Sequence, residues 1–309
     1  MFVLLNRRSN NGRGLRRWQA ARVELEAGLL GTDYRVAEDP GNLGLRILEE
    51  YSRGERVFVA AGGDGTVNFL LNTIMTTPGL PSLDVILGAI GLGSSNDFQK
   101  PHCAARRTRT GIPFKLDAAA AFPHNVGRVD YEDDGGNWQR RYFIINGSLG
   151  IIARGNYLFN SNERVVRWLK PKWVLGTIWY LTFKTLLSAK NIPLRLTISG
   201  DAVETEATTL SVILNPHFTG NLSYDCGDYS GREAFGIALC EKMGRVERLR
   251  TLSSLTKGRF MGLRKTRFWE SPAVDIEPAF PTPLELDGEV VLARRMRIRL
   301  LKGAIKTCL

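Results

Sequence analysis

The sequence has few residues of the kinds that hold zinc or form disulfides. Its four cysteines and three histidines are scattered over 309 residues, and no two cysteines have C-x-x-C spacing. This scarcity excludes a zinc site built on paired cysteines and a disulfide framework, and it favours a reducing cytoplasm. Repeats and low-complexity stretches are missing as well, so the composition is that of a globular protein long enough for about two domains.

Long hydrophobic runs are also missing. The apolar start, residues 1–5, is too short for a secretory signal, and no basic residue precedes it. The most apolar later segment, residues 168–187, is interrupted by Gly176 and Lys184. Its uninterrupted part falls short of the roughly 20 residues that a membrane-spanning helix requires, so we expect no such helix here.

Two common phosphate-binding fingerprints are absent, yet a glycine-rich turn is present. Neither G-x-x-x-x-G-K-[ST] nor G-x-G-x-x-G occurs, but the apolar run Val57–Ala61 leads into Gly62-Gly63-Asp64-Gly65 and then into helical spacing. Glycines leave the backbone bare, so N–H groups can converge on an anion where the next helix starts and its dipole favours negative charge. This pattern predicts a nucleotide phosphate site of another type.

A second turn repeats this pattern about thirty residues later. The apolar run Val85–Ile90 is followed by Gly91-Leu92-Gly93-Ser94-Ser95-Asn96-Asp97. Either turn alone could be an ordinary tight strand-to-helix connection. Together they predict one crevice beyond the carboxyl ends of parallel strands, with Asp64 and Asp97 close to each other. Two carboxylates beside bound phosphates suggest a Mg²⁺ site.

These motifs carry a family resemblance. With the segment Asn6–Gly12 after the first strand and Asp287-Gly288-Glu289 near the C-terminus, the two turns resemble those of the diacylglycerol kinase catalytic family. That family includes sphingosine and ceramide kinases and bacterial lipid kinases, and the resemblance spans residues 2 to about 292. It implies ATP-dependent phosphorylation of a lipid hydroxyl, with ATP and Mg²⁺ as cofactors.

The resemblance also implies the roles of particular residues. Glu289 would accept the proton of the acceptor hydroxyl, and Asp64 and Asp97 would hold Mg²⁺–ATP or orient the acceptor. The alternative for Asp287-Gly288-Glu289 is a plain hairpin turn. Nucleotide contacts fall on these residues: Asn6, Arg7, Arg8, Ser9, Asn10, Gly62, Gly63, Asp64, Gly65, Thr66, Val67, Asn68, Gly93, Ser94 and Asn96.

The chain departs from the family pattern at three positions. Phe69 stands where relatives usually have a glutamate, which removes one polar contact to the nucleotide. Ser230-Gly231 replaces an Asp-Gly, which puts the family's accessory structural metal in doubt, and Ala37 replaces a threonine that often touches the nucleotide. The main phosphate turn and both carboxylates are intact, so we expect an active kinase.

Periodicity predicts two domains of different class. Up to Ile90, strand-like runs alternate with helical patterns, over about 13–30, 42–53 and 66–75, which is typical of a doubly wound α/β domain. From about residue 123 the runs are mostly extended and predict a largely antiparallel β domain. We expect an α/β domain over 1–122 and a β-rich domain over 123–293. The family resemblance implies that the first is NAD-kinase-like and is joined by about 294–309, and that the second binds the lipid substrate.

The formal net charge of +11 at pH 7 indicates a partner or a surface that can accommodate a strongly basic protein. No nucleic-acid motif is present, so we expect no nucleic-acid partner and favour an anionic membrane surface.

The basic and apolar residues of 245–267 alternate as in an amphipathic segment, or they form a solvated helix face over a core. The Trp- and Lys-rich segment 168–187 is either a core or lid helix over the lipid cleft or an interfacial anchor. We expect a cytoplasmic enzyme at the inner face of the membrane, and a homodimer is left open.

Two other functions stay open at this point. An NAD-type small-molecule kinase shares the G-G-D-G-T turn, but the motifs at residues 93–98 and 287–289 argue against it. A catalytically weak lipid-binding relative is the second alternative, suggested by Phe69 and Ser230. The lipid itself cannot be assigned, because acyl-chain pockets consist of ordinary apolar side chains.

Overall fold

The computed structural model describes residues 1–27, 34–38, 41–100, 106–160, 168 and 174–309. These residues divide into two compact units: unit 1 comprises residues 1–126 and 301–309, and unit 2 comprises residues 127–300. The expected domain limits at residues 122 and 293 stay a prediction about independently folding units. The chain passes between the units within strand β6 (Phe122–Glu132) and within strand β18 (Arg295–Thr307).

Unit 1 is built on a parallel sheet. Its strands are β1 (Phe2–Leu5), β2 (Arg35–Ala37), β3 (Val57–Gly62) and β4 (Ile86–Gly91), with the end of β18 beside β4 and the short antiparallel β5 (Phe114–Lys115) also on β4. The helices are the single turn α1 (Ser9–Gly12), α2 (Gly14–Leu25), α3 (Leu43–Ser52) and α4 (Asp64–Thr76).

Burial along these strands explains the layering of unit 1. β1, β3 and β4 are buried almost throughout, as expected for a parallel sheet that is covered on both faces. Val3, Leu5 and Val59 form one core with Trp18 and Ala21 of α2. α4 packs against β3 and β4, and α3 packs against α4. The predicted helix over 13–30 is observed as Gly14–Leu25, and its last residues lie outside the described part of the chain.

Unit 2 is largely antiparallel, as the sequence predicts. Its strands, besides parts of β6 and β18, are β7 (Trp138–Phe143), β8 (Asn146–Gly150), β9 (Ile192–Ile198), β10 (Asp201–Ile213), β11 (His217–Phe218), β12 (Leu222–Ser223), β13 (Phe235–Glu241), β14 (Thr266–Ser271), β15 (Ala273–Pro278), β16 (Thr282–Leu286) and β17 (Glu289–Ala293). Three helices accompany them: α5 (Ile151–Asn160), α6 (Val174–Ser188) and α7 (Arg245–Leu255).

The chain is interrupted between two strands of unit 2. β7 ends at Phe143 and β8 begins at Asn146. The backbone N–H groups of Ile144, Ile145 and Asn146 donate to the Asp287 carboxylate. These amides are therefore satisfied by a side chain from a distant part of the sequence, and the strand breaks there without leaving buried donors unpaired.

Candidate nucleotide and phosphoryl-transfer site

The first glycine turn joins β3 to α4 through the single residue Gly63. A Cβ atom on Gly62 would lie 2.2 Å from Thr66 Oγ1, so only glycine fits there. Gly63 is the N-cap of α4 with extended backbone angles, and its carbonyl accepts the N–H groups of Thr66 at 2.9 Å and Val67 at 3.2 Å. Because Gly63 has no side chain, no side-chain oxygen caps the first turn of α4, and a helix start of this kind can bind an anion.

The second glycine turn is closed by Asn96. This residue has a positive φ of 53°, and its Oδ1 accepts the N–H of Gly93 at 3.0 Å while its Nδ2 donates to the Gly93 carbonyl at 3.2 Å. The Ser94-Ser95 tip is therefore fixed by a local amide clasp. These hydrogen bonds give Asn96 a structural role in addition to the predicted role as a nucleotide contact.

The two turns lie against each other. The N–H groups of Leu92 and Gly93 donate to the Gly62 carbonyl at 2.7 and 3.1 Å. A Cβ on Gly93 would approach Gly63 Cα to 2.5 Å, a distance that carbon atoms do not reach. The parallel-sheet argument predicts this juxtaposition, and glycines on both sides are what permit it.

The two aspartates are linked through the backbone next to Asp97. Asp64 Oδ1 accepts the N–H of Phe98 at 3.1 Å, which ties the start of α4 to the residue after Asp97. Asp97 is only 5% exposed and its carboxylate is held by Lys100 and by the Ser95 hydroxyl. Asp64 is half-buried.

The N-terminal segment reaches the same place. The Asn6 N–H donates to the Ala61 carbonyl at 2.9 Å, and Asn6 Nδ2 donates to Thr66 Oγ1 at 3.0 Å. Arg7 forms an ion pair of 2.9 Å with Glu38, which follows β2. Ser9 Oγ is a buried oxygen without a hydrogen-bond partner among the described residues. Buried hydroxyls normally have partners, so this one is a candidate ligand contact.

Asn68 and Phe69 lie on α4 with opposite exposure. Asn68 is buried, and its Oδ1 accepts Asn72 Nδ2 at 3.1 Å within the helix. Phe69, the first of the three departures, is 44% exposed. Its ring is therefore not needed for the core of unit 1.

Arg17 is a residue of this site that the sequence analysis misses. From α2, its guanidinium donates to three carbonyls of the second turn: Gly91 at 3.2 Å, Leu92 at 3.3 Å and Gly93 at 2.7 Å. Partial burial lowers the pKa of Arg17 from its ordinary value. A basic residue on an amphipathic helix normally faces solvent, so no signal in the sequence indicates this contact.

The Asp287-Gly288-Glu289 motif of unit 2 forms the hairpin between β16 and β17. Leu286 pairs with Glu289, and Asp287 and Gly288 have positive φ values of 50° and 94°, as in a type I′ turn. Asp287 is buried and its carboxylate accepts three backbone N–H groups at 2.8 to 3.0 Å. Glu289 is exposed. The hairpin turn is therefore formed, and Asp287 connects it to the backbone of residues 144–146. The role of Glu289 as base stays a prediction.

The basic segment 245–267 is not one amphipathic helix. α7 ends at Leu255, and Leu255 and Phe260 belong to a buried cluster. Arg248 is also buried, and it donates to the carbonyls of Leu186 at 3.0 Å and Ala189 at 2.6 Å near the C-terminus of α6. This arginine stabilises the protein from within and cannot contact a membrane.

The aromatic segment is described only in part. Trp173 and the side chain of Trp179 lie outside the described residues, whereas Trp168 and Phe183 are 63% and 46% exposed. Among the helices that the structure describes, none is both long and apolar enough to cross a bilayer.

The described residues contain no group of three or more His, Cys, Asp or Glu side chains placed to hold a metal. At the second departure, Ser230 is buried and its hydroxyl donates to Asp228 at 3.0 Å. Ser230 and Asp228 thus form a local side-chain turn at this departure.

Several known proteins resemble this chain in sequence. Residues 1–114 match the model of the diacylglycerol kinase catalytic domain. A diacylglycerol kinase of Staphylococcus aureus (strain bovine RF122) is 24% identical over 291 residues, which cover 93% of this chain and 85% of that protein. One of Staphylococcus saprophyticus is 24% identical over 271 residues, covering 86% and 81%.

Solved structures show the same fold. A crystal structure of a diacylglycerol kinase from Bacillus anthracis has a TM-score of 0.66 at 17% identity, covering 99% of this chain and 95% of that chain. A second structure from that organism has a TM-score of 0.72 at 17% identity, covering 99% and 94%. The α/β unit followed by a mostly antiparallel β unit is therefore confirmed as the fold class.

The matches to the domain model and to the curated relatives support a kinase. More narrowly, the predicted resemblance to the diacylglycerol kinase catalytic family is confirmed, with residues 1–114 matching the model of its catalytic domain.

Proposed function

We propose that this protein is an ATP-dependent lipid kinase that transfers the γ-phosphoryl group to a lipid alcohol, most simply diacylglycerol. The observation that carries the proposal is the contact between the two glycine turns, with Asp64 at the first position of α4. Such a contact brings a phosphate-binding helix start and a carboxylate together, which is what phosphoryl transfer needs from a protein.

The nucleotide would bind in unit 1. The first turn of α4 supplies N–H groups to the phosphates, and the unpartnered Ser9 hydroxyl supplies a further donor. Arg17 and Asn96 keep the second turn in place through hydrogen bonds to its backbone. We expect binding affinity to depend on this fixed backbone shape more than on any one side chain.

The residues present fit a magnesium ion that arrives with the nucleotide. Magnesium is usually held by one or two carboxylates together with substrate phosphates and water, rather than by a complete protein cage. Asp64 suits this role because it stands at the first position of α4, where the two glycine turns meet, whereas the Asp97 carboxylate forms an ion pair with Lys100. The ion would neutralise the charge of the phosphates when bound.

The reaction requires one proton acceptor from the protein. The hydroxyl oxygen of the lipid forms a bond to the γ-phosphorus, the bond from that phosphorus to the bridging oxygen of ADP breaks, and the hydroxyl proton must leave. We assign the proton to Glu289, which is exposed and whose hairpin is held by the buried anchor Asp287. Glu289 is thus accessible, and its hairpin is fixed within unit 2.

The rival functions make different use of the same features. Against an NAD-type kinase stand the second turn and the Asp287-Gly288-Glu289 hairpin, both of which are formed. A weak lipid-binding relative is favoured by Phe69 and by Ser230. Neither departure disturbs the glycine contact or Asp64, which supports turnover over simple binding. We place the enzyme in the cytoplasm, bound peripherally to the inner face of the membrane.

The decisive experiment is a substrate panel. Purified protein with Mg²⁺ and labelled ATP is offered diacylglycerol, monoacylglycerol, ceramide and sphingosine in mixed micelles, and NAD in solution. We expect label in one or more lipids and none in NADP. Label in NADP alone would exclude the lipid kinase, and lipid uptake without ATP consumption would favour the binding protein.

A matched pair of variants links the activity to the site. Asp64→Asn keeps an oxygen that can accept the Phe98 N–H but removes the charge, so turnover should fall and the Mg²⁺ requirement should rise. Asp201→Asn, on the exposed start of β10, removes the same charge elsewhere and should leave turnover unchanged. Equal activity in both variants would contradict the assignment of Asp64.

A further inference from the structure

A cavity rich in arginine lies in unit 2, away from every motif used above. It has a volume of about 400 Å³ and is lined by Arg128, Asp130, Trp138, Arg140, Arg297 and Arg299, which we call the arginine cavity. The lining residues come from β6, β7 and β18. None of them belongs to the glycine turns, to the Asp287 hairpin or to the basic segment 245–267.

Strand alternation explains why these residues share one surface. Val129 and Tyr131 of β6, and Met296 and Ile298 of β18, are buried in the core of unit 2. Their neighbours along each strand must therefore point to the opposite face. On that face Asp130 stands directly across from Arg140 in the β6–β7 register. The arrangement is set by the backbone and not by flexible loops.

The cavity has an excess of positive charge. Four arginines line it against one aspartate. Asp130 contacts Arg140 at 2.6 Å and Arg128 at 3.1 Å, so this single carboxylate is shared by two of the four arginines. Arg299 has its own partner, Asp275, at 2.5 Å.

Arg297 is the clearest surplus cation. Its guanidinium lies over the Trp138 ring at 4.7 Å, and no ion pair to it is recorded among the described residues. Trp138 is 46% exposed, so the stacked pair is accessible to solvent. An indole face holds a guanidinium in a fixed plane, and this leaves the donor edge of the guanidinium available for an anion.

We propose that the arginine cavity binds a phosphomonoester group. Several guanidinium groups gathered in one concave surface repel each other, and a dianionic phosphate relieves that repulsion while accepting bidentate hydrogen bonds. A cavity of this volume accommodates a phosphorylated headgroup. The group can come from a phosphatidate-type lipid or from a soluble phosphate. Binding needs neither ATP nor turnover, so the proposal stands apart from the kinase activity.

The test compares two double variants of equal charge in the full chain. Arg128→Gln with Arg297→Gln removes two cations of the cavity, and Arg250→Gln with Arg259→Gln removes two exposed cations elsewhere. The probes are inorganic phosphate, followed by calorimetry, and phosphatidylcholine vesicles with and without phosphatidate, followed by sedimentation. We expect the cavity variant to lose about tenfold or more in affinity for at least one probe. The control should lose less than about threefold, as expected from a general change in charge.

The outcomes separate the sources of the phosphate. Loss of phosphatidate-vesicle binding alone assigns the site to a lipid headgroup, and loss of inorganic phosphate binding assigns it to free phosphate. The proposal is overturned if the cavity variant binds both probes like the wild type, or if the control loses as much. The single variant Arg297→Gln, at an exposed residue without a recorded ion pair, repeats the measurement if the double variant proves unstable.

Discussion

Asp287 and Glu289 are two residues apart on one hairpin and have different expected functions. Asp287 is buried and accepts three backbone N–H groups, whereas Glu289 is exposed at the start of β17. The Asp287-Gly288-Glu289 motif thus places a structural residue two positions before the proposed proton acceptor. Substitutions at the two positions should therefore change different measured quantities.

We predict that Asp287→Asn lowers the stability of the protein, whereas Glu289→Gln lowers its turnover. Asp287→Asn weakens bonds to a charged acceptor and should lower the free energy of unfolding by about 1–3 kcal/mol, measured by urea denaturation. Glu289→Gln should change stability by less than about 0.5 kcal/mol but lower kcat by about 10²–10⁴-fold, with little change in ATP affinity. Wild-type turnover by Glu289→Gln would mean that the motif is only a hairpin, and the base would have to be Asp64 or Asp97.

At the scale of elements, the nucleotide site depends on how closely two connections approach. The turns after β3 and β4 are in contact because neither Gly63 nor Gly93 has a side chain. Arg17 of α2 then fixes the second turn through its carbonyls. Three elements thus cooperate to hold a short stretch of backbone.

We predict that Gly93→Ala disrupts nucleotide binding. Its Cβ would meet Gly63 Cα at 2.5 Å, so one turn must move away and the N–H groups of α4 lose their alignment. Calorimetry with ATP should show at least tenfold weaker binding. Gly231→Ala is the control, since a Cβ there meets nothing within 4 Å. Unchanged ATP affinity in Gly93→Ala would show that the phosphates bind elsewhere.

A second prediction at this scale concerns the attachment of α7 to α6. Arg248 donates to the carbonyls of Leu186 and Ala189, and also to Met243 O at 3.1 Å and Asn191 Oδ1 at 2.8 Å. Arg248→Met leaves these acceptors without a charged donor and should cost about 1.5–3 kcal/mol of unfolding free energy. The exposed Arg250→Met on the same helix should cost less than about 0.5 kcal/mol. Similar denaturation midpoints for both variants would contradict the structural role of Arg248.

At the scale of the whole molecule, net charge controls encounter with surfaces. The chain carries +11, although many arginines are engaged in ion pairs or in carbonyl contacts such as those of Arg17 and Arg248. Charge that is locally paired still contributes to the field at a distance. Attraction to an anionic bilayer should therefore be a property of the entire protein, beyond any single patch.

We predict that binding to anionic vesicles is reversible and falls steeply with salt. Each basic residue near such a surface contributes about 1 kcal/mol, and the effect decays over a Debye length of roughly 8 Å at physiological ionic strength. Sedimentation with anionic and neutral vesicles between low and high salt measures it. Equal binding to neutral vesicles at high salt would point instead to insertion of aromatic side chains such as Trp168 and Phe183, both of which are exposed.

The sequence by itself determined the class of each unit, the two glycine turns and the hairpin at Asp287. These features are local: apolar runs set the strands, and glycine or an Asp-Gly pair sets a turn within a few residues. The juxtaposition of the two turns followed as well, because neighbouring parallel strands end at one edge of a sheet.

Only the tertiary structure decided which polar side chains form hydrogen bonds with the backbone of a distant element. Arg17 on the second turn, Arg248 on α6 and Asp287 on residues 144–146 all satisfy groups far away in the sequence. The arginine cavity likewise joins residues near 130 with residues near 298. A charged residue has the same sequence appearance whether it is solvated or buried against carbonyls, and only the folded chain determines which carbonyl or carboxylate comes within hydrogen-bond distance.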